Sequence, residues 1–426
     1  MNKKILIGIF IVLIIGVATA GAVAFLRPYN PLTPPSVDDT GLTTEGIQEV
    51  ANANNKFAID VYKQITATNN DNVFVSPYSI SSALAMTYEG ANGQTADEMK
   101  AVFNFPETDL MRPNFAAVYN IINKEDKQYE LRTGNALWIQ KDYTILSNYL
   151  STVEKYYGGK AVNLDFINET EKSRLTINSF IEEQTNNKIK NLIPVGLISG
   201  DTRLVLTNAI YFKGKWDVEF NKDNTIKREF RTPTESKEVL TMFMAPKPEE
   251  LFNYFEDEEL QAIELPYKDK ELSMVIILPK EDNVLTTLEQ SLTSEKLNEW
   301  TSNLKESRVD EIYFPKFEFD SGAELSEILK DMGMPTVFSA SADFSKMTGN
   351  RELSIGAVIH KAFIKVDEEG SEAAAATAVV MRDTAVGPGD TPPKTIFKAD
   401  HPFLFLIKEN STGTILFMGR INDPSS

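Results

Sequence analysis

Cysteine is absent from this sequence, and histidine occurs only twice, as His360 and His401. The lack of cysteine excludes disulfide bonds, thiol nucleophiles, iron–sulfur clusters and cysteine-based zinc sites. A multi-histidine metal site has almost no ligands to use, and a histidine-dependent hydrolase must rely on one of these two residues. The Gly-x-Ser-x-Gly nucleophile elbow is missing as well. We therefore expect no metal, no other cofactor and no enzymatic activity.

Positive charge is also scarce, with 43 Lys and Arg against 61 Asp and Glu, a net charge of -18. Such an acidic chain repels phosphate backbones, so a nucleic-acid partner is not expected. A heparin-type cofactor site needs clustered basic residues. Lys124, Lys127 and Arg132 are instead scattered among acids, and no such site is predicted.

The first 26 residues form a targeting segment. Lys3 and Lys4 precede an apolar run over residues 5–26, which is typical of an export signal, and Ala18-Thr-Ala20 offers a cleavage site. The run also has the roughly 20 apolar residues that a membrane-spanning helix needs. A cleaved signal peptide and an uncleaved signal anchor both remain open. Either one predicts an extracellular protein, secreted or anchored to the outer face of the membrane by residues 5–26, with no other membrane contact.

Residues 27–45 contain Pro28, Pro31, Pro34 and Pro35 and predict an extended linker. Residues 46–426 show no internal repeat and no shift in composition, so we expect one large domain there. Helical spacing of apolar residues dominates its first half and strand patterns its second half, which predicts a mixed α+β fold.

Local patterns place several elements. Residues 47–65 predict a helix whose apolar stripe is interrupted by Asn54, and Ser76-Pro77 predicts the start of the next helix. Thr95 and Glu98 have the spacing of a capping box. The nearly continuous β run over residues 204–212 predicts a central strand that is covered on both faces.

Seven segments, taken together and in order, resemble the serpin family of serine protease inhibitors. One of them is a hinge, Val366-Asp-Glu-Glu-Gly-Ser-Glu-Ala-Ala-Ala-Ala-Thr377. The resemblance covers essentially all of residues 46–426. The other segments are residues 72–80, 90–95, 208–216, 360–362, 401–405 and 417–420.

The resemblance implies a fold and a mechanism. The fold has three β-sheets, about eight or nine helices and an exposed reactive loop at about residues 368–395. The mechanism is suicide inhibition of a serine protease: the protease attacks the loop, an acyl-enzyme forms, and the cut loop inserts into the main sheet and traps it. A monomer is expected. The alternative is a non-inhibitory serpin that acts as a carrier or chaperone. Such members tend to have proline or bulky charged residues in the hinge, and this hinge has neither.

The hinge composition suits insertion on physical grounds. Alternate residues of a strand face opposite sides, so if Ser371 faces inward, Ala373, Ala375, Thr377, Val379 and Met381 do too, and none is charged. Gly370 supplies conformational freedom. Asp383 is the first charged residue on this inward face, so insertion should end near it. The predicted hinge residues are Glu369, Gly370, Ser371, Glu372, Ala373, Ala374, Ala375, Ala376 and Thr377.

Family spacing from Gly370 places the attacked bond at Thr384–Ala385, which suits elastase- or subtilisin-like proteases. The following stretch, residues 387–393, is rich in Gly and Pro and longer than usual, so two alternatives stay open. Cleavage after Arg382, before Asp383, suits trypsin-like enzymes, and cleavage after Met381 suits chymotrypsin- or subtilisin-like enzymes.

The resemblance also assigns a buried polar cluster beneath the opening sheet, made of Ser76, Ser79, Asn208 and His360. Trp216 matches the residue at which insertion begins. These residues either form a gate whose hydrogen bonds rearrange as the sheet opens, or serve as a satisfied polar core.

Overall fold

The computed structural model describes residues 36–124, 127–280, 285–371 and 393–426. Ten α-helices and three β-sheets lie within these ranges, and the described residues form one compact unit. The predicted α+β fold with three sheets is confirmed. The helix count is slightly above the expected eight or nine, and the shortest helix has only four residues.

Most helices belong to the first half of the chain. They are α1 (Thr44–Thr68), α2 (Pro77–Tyr88), α3 (Gly93–Phe103), α4 (Thr108–Asn123), α5 (Ser147–Tyr157), α6 (Thr170–Gln184), α7 (Leu285–Ser291), α8 (Ser294–Ser302), α9 (Ser326–Asp331) and α10 (Ser345–Thr348).

The strands build three sheets. The first nine strands along the chain are β1 (Val73–Val75), β2 (Tyr129–Thr133), β3 (Ala136–Gln140), β4 (Lys160–Leu164), β5 (Leu204–Lys215), β6 (Ile226–Arg231), β7 (Ser236–Met244), β8 (Phe252–Glu256) and β9 (Leu260–Pro266). The remaining strands are β10 (Leu272–Pro279), β11 (Lys305–Ser307), β12 (Glu311–Pro315), β13 (Phe317–Glu324), β14 (Ala357–Asp367), β15 (Gly370–Ser371), β16 (Ile396–Lys398), β17 (Phe403–Glu409) and β18 (Ile415–Ile421).

The main sheet has the order β13-β14-β15-β5-β3-β4, with β2 also paired to β5. A second seven-stranded sheet runs β1-β18-β17-β10-β9-β8-β11, and the small sheet runs β16-β12-β7-β6. Strand β5 is buried over nearly its whole length. Its inward side chains, such as Ile210, join the large core, and its outward ones, such as Ala209, pack with Ile177 and Ile181 of helix α6. The predicted central strand is thus confirmed.

Helix α1 shows why the interruption at Asn54 does not end the helix. Asn54 is buried, and its amide nitrogen donates a hydrogen bond to the Ile415 carbonyl at 2.9 Å. The helix begins after Thr43, whose hydroxyl accepts the N–H of Gly46. A polar residue in the apolar stripe is tolerated here because strand β18 supplies its partner.

Residues 36–45, predicted from the sequence as the end of the linker, lie against the folded body. Val37 is buried, its N–H donates to Asn120 Oδ1 at 3.1 Å, and its carbonyl accepts from Asn120 Nδ2 at 2.9 Å. The rest of the predicted linker and the targeting segment lie outside the described residues. Among the helices of the described ranges, none is long and apolar enough to cross a membrane.

Candidate functional site

The hinge enters the main sheet as a strand of two residues. Gly370 and Ser371 form β15, which is antiparallel to β14 on one side and to β5 on the other. Beyond this point β14 and β5 pair directly and in parallel, from Ala357 opposite Val205 to Phe363 opposite Tyr211. The sheet is therefore already parted at one end, by the first residues of the hinge.

Gly370 is required by the close approach of two strands. Its φ is +149°, and a Cβ built on it would lie 2.1 Å from the carbonyl oxygen of Gly214. Real Cβ atoms cannot come that close to backbone, so only glycine fits without moving the strand.

Ser371 faces the interior, as the alternation argument requires. It is fully buried, and its hydroxyl lies 2.8 Å from the hydroxyl of Tyr267. Tyr267 in turn stacks on Trp216 with ring centroids 4.7 Å apart. Tyr267, the residue directly after β9, was not predicted as a site residue from the sequence.

Trp216 holds the backbone on the N-terminal side of β15. Its indole nitrogen donates to the Asp367 carbonyl at 3.0 Å, and its backbone N–H donates to the Glu369 carbonyl at 2.9 Å. Trp216 thus lies at the end of the main sheet where β15 enters.

Two buried glutamates, Glu368 and Glu369, directly precede Gly370. Glu368 accepts hydrogen bonds from Lys316 Nζ at 2.7 Å and from the Thr225 hydroxyl at 2.7 Å, and Glu369 pairs with Lys222. Burial alone would raise the pKa of Glu368, but the hydrogen bonds from Lys316 and Thr225 outweigh it and the pKa lies below its usual value. The hinge is thus held in place by ion pairs to other elements, and Lys316 was not predicted.

The predicted polar cluster is present and has a fifth member, Asn135. Asn208 Nδ2 donates to the Ser79 hydroxyl at 2.6 Å and to Asn135 Oδ1 at 2.7 Å. The Ser79 hydroxyl donates to Asn135 Oδ1 at 3.0 Å, and the Ser76 hydroxyl donates to the Leu416 carbonyl at 2.6 Å. The cluster connects helix α2, both central strands of the main sheet and β18. The signal for Asn135 was its place directly before a buried strand.

His360 bridges the two strands that an inserting loop would separate. Its Nε2 accepts the N–H of Ser76 at 3.1 Å, so Nδ1 carries the proton and donates to Asn208 Oδ1. His360 and Asn208 are also directly opposite each other in the pairing of β14 and β5. Burial lowers the pKa of His360 to about 3, so the ring is neutral at physiological pH.

Part of the predicted site lies outside the described residues. This applies to the hinge residues Glu372, Ala373, Ala374, Ala375, Ala376 and Thr377, to the bond Thr384–Ala385, and to the alternatives Met381, Arg382 and Asp383. Within the described ranges, no group of three or more His, Cys, Asp or Glu side chains is placed to hold a metal ion.

Comparison with known proteins agrees with this geometry. The family model described as Serpin (serine protease inhibitor) matches residues 52–424. Human serpin B3 is 42% identical over 398 residues, which cover 89% of this chain and 100% of that protein. Human leukocyte elastase inhibitor is 38% identical over 386 residues, with coverages of 89% and 100%. The crystal structure of human thyroxine-binding globulin with its thyroxine has a TM-score of 0.79 at 30% identity, and the match covers 89% of this chain and 99% of that one. The chain belongs to the serpin family.

Proposed function

We propose that this serpin inhibits serine proteases by inserting its cleaved loop into the main sheet and trapping the acyl-enzyme. The observation that carries the proposal is β15, since Gly370 and Ser371 are hydrogen-bonded on both sides between β14 and β5. A strand that starts between two others can lengthen residue by residue as those strands part.

The register of β15 assigns partners to the residues that would follow it. If both antiparallel pairings were extended, Ala375 would lie between Ile210 and Ala362, which belong to the large core. A charged side chain there would lose its hydration without a partner. The uncharged inward set from Ser371 to Met381 therefore matches the environment that the strand would enter.

The same register explains why the outward residues are small. Ala376 would lie between Ala209 and Lys361, and Ala209 packs against the residues of helix α6. Large outward side chains would collide with that helix. Glu372, the one charged outward residue near the entry, would lie between Lys213 and Lys365, which are both half-exposed.

Thr377 would reach the polar cluster. If the loop inserted in the register of β15, Thr377 would lie between Asn208 and His360. The hydrogen bond between these two residues would have to break when the strands separate. A hydroxyl can donate one hydrogen bond and accept others, so Thr377 can replace the partner that each of them loses. The buried polar groups then stay satisfied after insertion, which supports the gate role of the cluster.

Insertion has a large driving force. It replaces the direct β14–β5 pairing by two pairings, and about ten net backbone hydrogen bonds at roughly 1 kcal/mol each give on the order of 10 kcal/mol. That is comparable with the stability of a whole domain. The uncleaved form is therefore held by a kinetic barrier.

For the attacked bond we propose Thr384–Ala385, with Arg382–Asp383 and Met381–Arg382 as the alternatives. Its small side chains suit elastase- or subtilisin-like proteases, and one relative is named as an inhibitor of leukocyte elastase. The bond after Arg382 would instead point to a trypsin-like target, and the bond after Met381 to a chymotrypsin- or subtilisin-like one.

We further propose an inhibitor that is not itself a catalyst. Both nitrogens of His360 are engaged, by Ser76 and Asn208, and both nitrogens of His401 are close to partners, Asp400 and the Pro279 carbonyl. Neither ring has a nitrogen left to activate a serine, which supports this view. We also propose that the protein is a monomer and extracellular. The apolar run over residues 5–26 supports the location, since it suits either a secreted protein or one anchored to the outer face of the membrane.

The inhibitory role is tested by mixing the protein with elastase-, subtilisin-, trypsin- and chymotrypsin-like proteases and separating the products in SDS. A covalent complex with at least one of them is expected. Loop cleavage with full recovery of every protease would contradict the proposal.

A carrier role is the second candidate, favoured by the likeness to thyroxine-binding globulin. The two roles differ in what loop cleavage does to stability. An inserting loop should raise the thermal unfolding midpoint by on the order of 10 °C, given the driving force above and the size of the domain. A carrier whose loop does not insert should show no gain.

A further inference from the structure

Two segments of the chain have the Asn-x-Ser/Thr sequence at which exported proteins accept N-linked sugars. They are Asn168-Glu-Thr170 and Asn410-Ser-Thr412. An enzyme that transfers such a sugar must reach the asparagine amide nitrogen and the hydroxyl of the third residue. The sequence does not distinguish the two segments, but their surroundings in the fold differ.

The Asn168 segment lies on an exposed turn between β4 and helix α6. Asn168 and Glu169 are exposed, and Thr170 is the first residue of the helix. The amide nitrogen of Asn168 donates to the Asp165 carboxylate and lies 3.2 Å from each of its oxygens. These hydrogen bonds are long and open to solvent, so water can replace them at little cost.

The other hydrogen bonds of this turn are local as well. The Thr170 hydroxyl donates to the Phe166 carbonyl at 2.6 Å. The N–H of Asn168 donates to the side chain of Asp165 at 3.0 Å, and the N–H of Glu169 donates to the Asp165 carbonyl at 3.1 Å. The first N–H groups of a helix have no partner inside that helix. The turn can therefore present the amide and the hydroxyl to an enzyme by a small local opening.

The Asn410 segment also has an exposed asparagine, but a remote part of the chain holds it. The amide nitrogen of Asn410 donates to the Lys270 carbonyl at 2.9 Å and to the Ser273 hydroxyl at 2.8 Å. Its backbone N–H donates to the Glu271 carbonyl at 2.8 Å. These partners belong to the connection between β9 and β10 and to β10 itself, so both protons of the amide are engaged across two segments.

The hydroxyl of Thr412 is equally engaged. Thr412 is only 6% exposed, its hydroxyl donates to the Glu409 carboxylate at 2.6 Å, and it lies 2.7 Å from the hydroxyl of Thr414. To reach an enzyme, this segment would have to separate from β10 and uncover a buried hydroxyl. Opening therefore costs more free energy at Asn410 than at Asn168.

Asn168 lies at the end of the main sheet opposite to β15. Strand β4 ends at Leu164, which pairs with Gln140 of β3. The N–H of Gln140 donates to the backbone just before the start of β5. The hinge enters at the other end of β5, where β15 pairs with the last two residues of that strand. A sugar on Asn168 therefore leaves the entry of the hinge free.

We propose that Asn168 is a site of N-linked glycosylation and that Asn410 of the folded protein is not. The donor is an oligosaccharide on a polyprenyl phosphate or diphosphate. The bond between the sugar C1 and the phosphate oxygen breaks, and the phosphate leaves with the electron pair. A bond from C1 to Asn168 Nδ2 forms, and the amide nitrogen loses one proton. The proposal rests on the proposed extracellular location, since such transfer acts on exported chains, and it does not depend on protease inhibition.

The test treats the purified, folded full chain with an oligosaccharyltransferase and an oligosaccharide on a polyprenyl diphosphate. Synthetic peptides of residues 164–174 and 406–416 are treated in parallel, because they carry the same two sequences without the fold. Intact mass gives the number of sugars, and peptide mapping gives their sites. The variants are Asn168→Gln and Thr170→Val, with Asn410→Gln as the matched control.

Both peptides should be modified, whereas the folded wild type and Asn410→Gln should each gain one oligosaccharide, at Asn168. In the folded chain, Asn168 should react at least about tenfold faster than Asn410, the ratio that corresponds to about 1.4 kcal/mol in opening free energy. Asn168→Gln and Thr170→Val should stay unmodified. Protein isolated from cells that export it should carry a sugar at Asn168.

Equal rates at the two asparagines of the folded chain would overturn the proposal. Failure of the peptide 164–174 or of the folded chain to accept a sugar at Asn168 would do so too, as would exported protein without a sugar there. These results leave the inhibitory role untouched, since the covalent complex with a protease tests it separately. Modification of Asn168 in a protein that forms no such complex would keep this site and refute inhibition.

Discussion

Replacing Ala375 by aspartate probes the insertion step in isolation. Under the proposed insertion in the register of β15, this residue would enter the core between Ile210 and Ala362, but only after the loop has been cut. The position lies nine residues before the proposed Thr384–Ala385 bond. Recognition and cleavage of the loop should therefore proceed as in the wild type, while insertion meets a carboxyl group that must be buried.

The cost follows from the burial of that carboxyl. Full burial without a partner raises a carboxyl pKa by up to about 3–5 units, and each unit corresponds to about 1.4 kcal/mol. The cost is therefore about 4–7 kcal/mol, below the driving force on the order of 10 kcal/mol. Insertion stays favourable but slows. If about a third of the cost is felt at the barrier, the rate falls about ten- to fiftyfold.

Slower insertion gives the acyl-enzyme time to hydrolyse. The stoichiometry of inhibition, measured by titrating a fixed amount of protease, should rise at least tenfold for Ala375→Asp, and most of the protein should be recovered as cleaved loop. Ala375→Ser is the control, since it adds a small neutral group and should raise the stoichiometry only a few-fold. A stoichiometry for Ala375→Asp equal to that of the control would refute the register and the insertion argument together.

Three further predictions concern the described residues. His360 is neutral in the native state, where its pKa is about 3, whereas its pKa in the unfolded chain is about 6.5. As the pH drops below about 6.5, the unfolded state therefore binds a proton that the native state does not bind. The free energy of unfolding falls as a result. From pH 7 to pH 5 the wild type should lose about 2 kcal/mol more unfolding free energy in urea than His360→Gln, and equal losses would contradict the assigned tautomer and burial. Lys316→Ala leaves the carboxylate of Glu368, which is 5% exposed, without its cation. The unfolding free energy in the same assay should fall by about 3 kcal/mol or more. Adding Glu368→Gln to this variant should restore part of the loss. Gly370→Ala places a methyl group against the carbonyl of Gly214 and should lower the unfolding free energy by about 2 kcal/mol or more; an unchanged value would show that β15 is not held in the sheet.

The parts of the fold that were predicted from the sequence depend on local physical chemistry. Ser76 accepts the N–H of Ser79 at the start of helix α2, with Pro77 at the first helical position, as the residue types indicated. The continuous apolar run over residues 204–212 became a strand buried on both sides. Such patterns need no knowledge of distant residues, because period and capping act within a few residues of the chain.

The parts that were missed depend on long-range contacts. Thr95 and Glu98 do not form the predicted capping box, because helix α3 begins two residues before Thr95. The Thr95 hydroxyl accepts the N–H of Asp343 at 2.9 Å instead, and Glu98 binds Thr336. No local pattern reveals that a polar side chain is already occupied by a residue more than 200 positions away.

Three residues of the candidate site were also missed, because their contacts are long-range. Asn135, Tyr267 and Lys316 come from three separate stretches of chain, and only folding brings them to Asn208, Ser371 and Glu368. Residues 36–45 look like a linker by composition, yet Asn120 holds Val37 through both backbone groups. Hydrogen bonds between remote segments thus determine whether such a stretch lies against the folded body, and composition alone does not predict this.

Mass spectrometry of the products that form with an elastase- or subtilisin-like protease tests the central claim most directly. The account predicts a covalent complex that contains the serpin up to Thr384, together with a released C-terminal peptide that begins at Ala385. Release of the same peptide without any complex, and with the protease fully active, would contradict trapping by loop insertion.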